Sequence, residues 1–117
     1  MDQMKTPIPV SVYIITLNEE KNLLTLLPAL ADFSEVVLVD SGSTDATLAI
    51  AAQFPNVRTF SRQWTGFSDQ KAFALAQCTA QWVLNLDGDE RFTQAYLAEM
   101  LAMLASDEFD ALQSTRI

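Results

Sequence analysis

Two hydrophobic runs of this sequence each end in a carboxylate. The run VVLVD ends in Asp40, and the run WVLNLD ends in Asp87. Ligands of open α/β sheets bind beyond the carboxyl ends of the strands, so two adjacent strands of this kind would direct both carboxylates into one pocket. Asp89 follows Asp87 across one glycine, and alternate carboxylates on a tight turn can reach one hard divalent cation. Since such a cation commonly carries a substrate's phosphates, a nucleotide-sugar site is the first hypothesis.

The loop after Asp40 reads SGSTD and combines hydroxyls with one glycine. This composition suits hydrogen bonds to a ribose or a base edge near a helix N-terminus, so Ser41 and Ser43 are candidate ligand contacts. The alternative for Ser43, Thr44 and Asp45 is that they cap the following helix. Neither a Walker loop nor the GxGxxG pattern is present, which disfavours an ATPase or a dinucleotide-binding dehydrogenase.

A third candidate region is the segment RQWTGFSDQK, residues 62–71. We expect Lys71 in the first turn of a helix capped by Ser68, where a cation opposes the helix dipole and would suit a docked anion. The alternative is that Asp69 offsets the charge and Lys71 faces solvent. Arg62 is a second candidate for a phosphate or base contact. The aromatic residues between them could form a pocket lip or pack beneath the helix.

The composition excludes several classes of function. The net charge of −8, with only 7 scattered lysines and arginines, argues against binding of nucleic acid, and a polyanionic ligand would need a metal or a local cation. Histidine is absent, which excludes histidine-based triads and histidine-ligated zinc within this chain. One cysteine, Cys78, and no long apolar run predict a soluble, cytoplasmic protein with no transmembrane segment.

Strand and helix patterns alternate along the 117 residues. The predicted strands are residues 10–17, 35–40, 57–61 and 81–87. The predicted helices are residues 19–30, a helix that ends near 54, residues 68–78, and a helix that begins after 93. Their predicted N-caps are Asn18, Ser43 or Thr44, Ser68 and Thr93. This alternation predicts an α/β fold, with a mainly parallel sheet and helices on both faces. Another strand begins within residues 109–117, so we expect part of a larger domain.

Three ordered segments resemble the N-terminal, nucleotide-binding part of family 2 glycosyltransferases with the GT-A fold. They are VYIITLNE at 12–19, EVVLVDSGSTD at 35–45 and LDGDE at 86–90. The segment WTGFSDQK at 64–71 is similar to the subgroup that adds glucose to the inner core of bacterial lipopolysaccharide. The resemblance covers nearly all of residues 1–117.

The resemblance implies a site for a nucleotide-sugar donor, with a UDP-sugar expected. Asp40 and the end of the first strand, with Thr16, Asn18 and Glu19, would contact the nucleoside. Asp87 and Asp89 would hold Mg²⁺ or Mn²⁺ on the diphosphate. The acceptor would be a glycan or the lipopolysaccharide core, which suggests peripheral association with the cytoplasmic face of the membrane.

The same resemblance implies an inverting mechanism, in which a carboxylate from a later segment removes the acceptor proton. No acidic residue after Glu90 falls in a recognisable base motif, so we expect the base beyond Ile117 and no transfer by this chain alone. The alternative is a noncatalytic nucleotide-binding or regulatory α/β domain. A nucleotidyltransferase is disfavoured, because the loop NEEKN after the first strand is not glycine-rich.

Overall fold

The computed structural model describes residues 7–87 and 94–105. Strands and helices alternate through this part of the chain, as the sequence predicts. They are β1 (Ile8–Thr16), α1 (Glu20–Ala29), β2 (Phe33–Asp40), α2 (Thr47–Ala51), β3 (Val57–Ser61), α3 (Phe67–Gln77), β4 (Trp82–Asp87) and α4 (Gln94–Ala105). The strand expected within residues 109–117 and the cap expected at Thr93 lie outside the described residues. No helix in the described ranges is long and apolar enough to cross a membrane.

The four described strands form one parallel sheet in the order β3-β2-β1-β4. The chain winds from β1 through β2 to β3 in one direction and then returns to the other side of β1 for β4. The junction of β1 and β4 is therefore a topological switch point, where open α/β sheets form a ligand crevice.

This strand order corrects one expectation about the two terminal carboxylates. Asp40 ends β2 and Asp87 ends β4, but these strands are not neighbours because β1 lies between them. Thr16 pairs in register with Asp40, and Ile15 pairs with Asp87. Two strand spacings separate the outer backbones by about 10 Å. The two carboxylates therefore stand on either side of the end of β1.

Helices cover both faces of the sheet, as predicted. Successive strand residues point to opposite faces, so each strand contributes to two apolar layers. The layer under α1, α2 and α4 contains Val12, Ile14, Leu38, Leu84 and Met100. The layer under α3 contains Tyr13, Val37, Val39, Val83 and Ala74. Because both faces are buried, the strands are hydrophobic almost throughout.

The predicted helix caps are wrong for the first three helices. Asn18 has a φ of 54° and precedes the N-cap residue Glu19, so it lies outside α1. Helix α2 begins at Thr47 and ends at Ala51, short of the expected residue 54, and neither Ser43 nor Thr44 caps it. Instead, Asn18 and Ser43 each form a hydrogen bond with the loop that carries the other residue. These polar side chains accept hydrogen bonds from backbone N–H groups of a neighbouring loop, and not from those of the helix that follows them.

Helix α3 begins one residue before Ser68, the predicted cap. Its N-cap is Gly66, whose φ of 116° lies in a region that glycine adopts without a steric penalty. Ser68 is therefore the second residue of the helix. The earlier start also moves Lys71 to the fifth position, beyond the first turn in which it was expected.

Glu35 anchors the opposite, amino-terminal half of the sheet. Its carboxylate accepts hydrogen bonds from Ser11 on β1, from Arg58 on β3 and from Thr79 before β4. Burial raises the pKa of Glu35, but these hydrogen bonds outweigh it and hold the pKa below its ordinary value. Burial, with a smaller contribution from the charge of Glu35, also raises the pKa of Cys78 to about 11, so this thiol stays protonated at neutral pH.

Candidate functional site

A cleft of about 450 Å³ opens at the carboxyl edge of the sheet. It lies where β1 and β2 end and α3 begins. Its lining residues are Ile15, Thr16, Leu17, Glu19, Ser41, Trp64 and Phe67. Three predicted ligand contacts therefore lie in one cleft: Thr16 at the end of β1, Glu19 in the loop that follows it, and Ser41 in the loop after β2.

One side of this cleft is an aromatic lip, formed by Trp64 and Phe67. Their rings meet edge to face, with 4.8 Å between centroids and 90° between planes. The lip is accessible, since Trp64 is 44% exposed and Phe67 is 69% exposed, and Leu17 beside it is 53% exposed. Of the two placements predicted for these aromatic residues, the structure shows the pocket lip. Their exposure next to polar lining residues makes them candidate site residues.

Asp40 lies at the base of the same edge and is fully buried. One carboxylate oxygen accepts hydrogen bonds from the hydroxyls of Thr16 and Ser43. The other accepts from the backbone N–H groups of Gly42 and Ser43, at 3.0 and 2.7 Å. Burial raises the pKa of Asp40, but the hydrogen bonds from Ser43, Thr16 and Gly42 outweigh it and leave the pKa below its ordinary value.

These contacts bear on the predicted role of Asp40. Its carboxylate is buried and bonded to neighbouring residues, so it is not a free group at the end of the strand. Four hydrogen bonds fill the roughly four acceptor positions of a carboxylate. A nucleoside N–H could bond Asp40 only after a hydroxyl of Thr16 or Ser43 turned away. Contact with the ligand stays a prediction for Asp40 and also for Ser43.

The loops after β1 and β2, residues 17–19 and 41–46, are joined by reciprocal hydrogen bonds, and we call them the paired loops. Oδ1 of Asn18 accepts from the backbone N–H groups of Thr44 and Asp45, at 2.8 and 3.3 Å. The backbone N–H of Asn18 in turn donates to Oγ of Ser43 at 2.8 Å. Asn18 therefore acts as both acceptor and donor across the junction.

Further bonds extend this junction toward α1 and α2. The backbone N–H of Glu19 donates to Oγ1 of Thr47 at 2.9 Å, and the N–H of Ala46 donates to Oε1 of Glu20 at 2.8 Å. The N–H of Ser41 donates to the carbonyl oxygen of Thr16 at 3.1 Å. These bonds join the backbone segments that carry the cleft residues.

Asp87 is exposed at the end of β4, beside β1. A carboxylate at this position is a suitable ligand for Mg²⁺ or Mn²⁺, which prefer hard oxygen donors. Asp89, the expected second ligand, lies outside the described residues. Within residues 7–87 and 94–105, no group of three acidic, histidine or cysteine side chains could hold a metal ion. The described chain therefore supplies one carboxylate of the predicted pair.

Arg62 and Lys71 near α3 are predicted ligand contacts, and this role stays a prediction for both. Lys71 is half-buried and is not among the described residues that line the cleft. The guanidinium of Arg62 donates to Gln70 at 2.7 Å and to Asp69 at 3.3 Å, and it lies 5.0 Å from the centroid of Phe73. These contacts hold the loop between β3 and α3, which carries Trp64. Hydrogen bonding by Thr65, with the nearby Arg62 charge, lowers the pKa of Asp69.

Comparisons with known proteins agree with this geometry. The model for glycosyl transferase family 2 matches residues 11–117. The lipopolysaccharide core biosynthesis glycosyltransferase LpsC of Rhizobium meliloti (strain 1021) is 43% identical over 108 residues, which cover 86% of this chain and 39% of LpsC. An uncharacterised glycosyltransferase of Rickettsia felis is 35% identical over 102 residues, which cover 86% of this chain and 36% of the relative. The chain thus spans well under half the length of these relatives.

Solved structures show the same fold. The crystal structure of S. aureus TarS, residues 1–349, superimposes with a TM-score of 0.69 at 32% identity, covering 81% of this chain and 32% of TarS. Glucosyl-3-phosphoglycerate synthase from Mycobacterium tuberculosis, solved with Mn²⁺, UDP and glucosyl-3-phosphoglycerate, superimposes with a TM-score of 0.59 at 22% identity, covering 70% of this chain and 35% of that chain. The expected GT-A fold is confirmed. The chain belongs to glycosyl transferase family 2.

Proposed function

We propose that this chain forms the donor-binding part of a glycosyltransferase that uses a nucleotide sugar, with a UDP-sugar as the expected donor. The observation that carries the proposal is the convergence of Thr16, Glu19 and Ser41 on one cleft at the carboxyl edge of a parallel sheet. The family resemblance implies a nucleoside contact for Thr16 and Glu19, and the loop after β2 predicts a ligand contact for Ser41. Its volume of about 450 Å³ lies within the range of small-molecule sites.

The lining of the cleft suits the nucleoside end of such a donor. The rings of Trp64 and Phe67 offer an apolar surface for a base, and base–aromatic stacking contributes about 1–3 kcal/mol. Glu19 and the hydroxyls of Thr16 and Ser41 can accept hydrogen bonds from a base or a ribose. The Glu19 carboxylate would repel a phosphate, so we place the diphosphate toward β4 and Asp87.

A divalent metal would complete this arrangement. The net charge of −8 makes direct binding of a diphosphate unfavourable without a cation. Asp87, with Asp89, would hold Mg²⁺ or Mn²⁺, and the bound metal would neutralise charge on the leaving diphosphate. The Mn²⁺ and UDP in the related synthase structure support this choice of cofactor and donor.

The acceptor side of the reaction rests on the relatives. The name of LpsC supports a lipopolysaccharide-core acceptor and a role in lipopolysaccharide biosynthesis. Glucose is the expected sugar because residues 64–71 resemble the glucose-adding subgroup. We propose an inverting reaction, in which a base outside this chain removes the proton of the acceptor hydroxyl. Such an acceptor would bring the protein to the inner face of a bacterial membrane.

Calorimetric titration with UDP-glucose and UDP in the presence of Mn²⁺ tests the donor site. We expect saturable binding that Leu17→Ala weakens, because Leu17 lines the cleft. Leu24→Ala is the matched control, since Leu24 is similarly exposed at 60% but is not among the described lining residues. Absence of binding to the wild-type protein, or equal loss in both variants, would refute the assignment. Donor binding by a full-length protein that has no transferase activity would favour the noncatalytic alternative.

A further inference from the structure

We propose that Asn18 is a positioning residue, which sets the shape of the donor site without touching the donor. The resemblance suggests a direct contact between Asn18 and the nucleoside. The structure points instead to a side chain that holds the paired loops together. This inference rests on the proposed function, because it concerns the same cleft.

Asn18 faces away from the cleft that its two chain neighbours line. Leu17 and Glu19 both line the cleft, whereas Asn18 between them is not part of its described lining. The side-chain oxygen of Asn18 points to the second loop, where it accepts from two consecutive backbone N–H groups, those of Thr44 and Asp45. That oxygen is therefore committed to the junction.

Asn18 also has a backbone conformation that few residue types adopt. Its φ of 54° lies in the left-handed region, which asparagine tolerates better than most residues. This conformation turns the chain sharply between β1 and α1. Because Leu17 and Glu19 flank the turn, its geometry decides where both side chains stand in the cleft.

Hydrogen bonds also connect Asn18 to the buried end of β2. The backbone N–H of Asn18 donates to the hydroxyl of Ser43, and the same hydroxyl donates to the carboxylate of Asp40. Thr16 donates to the same carboxylate. A displacement at Asn18 would thus be transmitted to Thr16 and to the loop that begins at Ser41.

Three substitutions distinguish a positioning role of Asn18 from a direct contact between Asn18 and the donor. N18A removes the side-chain oxygen and disfavours the left-handed backbone. N18G restores the backbone freedom but lacks the oxygen. N18D keeps an oxygen acceptor and a tolerated backbone, but it loses the two amide N–H donors that could bond a ligand.

Hydrogen exchange of the free protein gives a readout that needs no ligand. We expect the backbone amides of Thr44 and Asp45 to lose protection by about tenfold or more in N18A and N18G, the factor expected for loss of roughly one hydrogen bond. N18D should retain protection close to wild type. Unchanged protection in N18A would overturn the proposal, whatever the donor-binding result.

Donor binding then tests the consequence for the site. We expect the affinity for UDP with Mn²⁺ to fall about tenfold in N18A and N18G and to stay within about threefold of wild type in N18D. Uridine is titrated in parallel at raised salt, because the added negative charge of N18D could repel a diphosphate. If N18D lost uridine affinity as severely as N18A while keeping its amide protection, Asn18 would be a direct contact and the proposal would be wrong. If the wild-type protein bound neither ligand, the proposed function would fail, and the exchange data alone would decide the role of Asn18.

Discussion

Replacing Asp40 tests whether its buried carboxylate organises the edge of the sheet. Asp40→Ala removes the acceptor of four hydrogen bonds, two from backbone N–H groups and two from hydroxyls. Asp40→Asn is the informative comparison. Its oxygen can keep the bonds from Gly42 and Ser43, and its NH₂ group can donate to the hydroxyls of Thr16 and Ser43, because a hydroxyl both donates and accepts.

The expected magnitudes follow from these partners. A hydrogen bond to a charged group contributes about 1.5–3 kcal/mol, and a neutral one about 1 kcal/mol. In Asp40→Ala the hydroxyl of half-buried Ser43 can turn to water, so the loss comes mainly from the two backbone donors and from the buried hydroxyl of Thr16, and it is partly offset by removal of a buried charge. We expect the free energy of unfolding to fall by about 2–4 kcal/mol in Asp40→Ala and by about 1 kcal/mol in Asp40→Asn.

Urea unfolding followed by circular dichroism at neutral pH measures both variants against wild type. Ser34→Ala is a control, because Ser34 is an exposed residue of the same strand whose hydroxyl makes a single bond, to the carbonyl oxygen of Ile8. A loss in Asp40→Ala no larger than that of the control would show that the four bonds do not organise this edge. Equal losses in Asp40→Asn and Asp40→Ala would show that the charge, not the hydrogen-bond geometry, stabilises the loop.

Three other outcomes are expected. Glu35→Gln should lower the free energy of unfolding by about 1.5–3 kcal/mol through weaker bonding to Arg58, measured by urea unfolding. The folded-state pKa of Glu35 lies below its ordinary value of 4.5, so the stability that its charge contributes is present above pH 4.5 and is lost as the pH falls through the folded-state pKa. The free energy of unfolding should therefore fall less steeply with decreasing pH in Glu35→Gln than in wild type, and an equally steep fall would contradict this. Calorimetry should show that wild type binds UDP with Mn²⁺ and that EDTA abolishes this binding. In Asp87→Ala, the affinity for UDP should no longer depend on Mn²⁺. If wild type bound UDP equally well in EDTA, the metal would have no part in the proposal. A radiolabelled-donor assay with this chain and extracted glycolipid should show no transfer, since general-base catalysis alone contributes roughly 10²–10⁴ in rate; robust product would place the base within residues 1–117.

The parallel α/β architecture could be predicted from the sequence because it depends on local periodicity. The strand predicted at residues 57–61 has the observed bounds, and the β4 prediction differs by one residue. The order of the strands could not be predicted in this way. It depends on which faces pack together, which is why Asp40 and Asp87 were expected on adjacent strands and instead lie on either side of β1.

The polar residues of the loops were harder to predict, for a different physical reason. Asn18 and Ser43 have the composition of helix caps, but their partners lie about 25 residues away in the chain. The hydrogen bonds of Glu35 could not be predicted from the sequence. One carboxylate within a strand has no periodic pattern, and its partners come from three separate segments. The local sequence around a side chain carries little information about hydrogen-bond partners that are distant in the chain. Thr16 and Glu19 were predicted from the family resemblance, and Ser41 was predicted because it follows a strand end, where the fold itself places ligands.

The positions of the two tryptophans give the protein two independent optical reporters. Trp64 stands in the lip of the cleft and is 44% exposed, whereas Trp82 begins β4 at the opposite edge of the sheet and is only 5% exposed. An aqueous quencher such as iodide should therefore reach Trp64 and spare Trp82. A base stacked on the lip should shield the first indole from the quencher, while only unfolding should expose the second. Occupancy of the cleft and integrity of the sheet can thus be followed separately in one unlabelled sample.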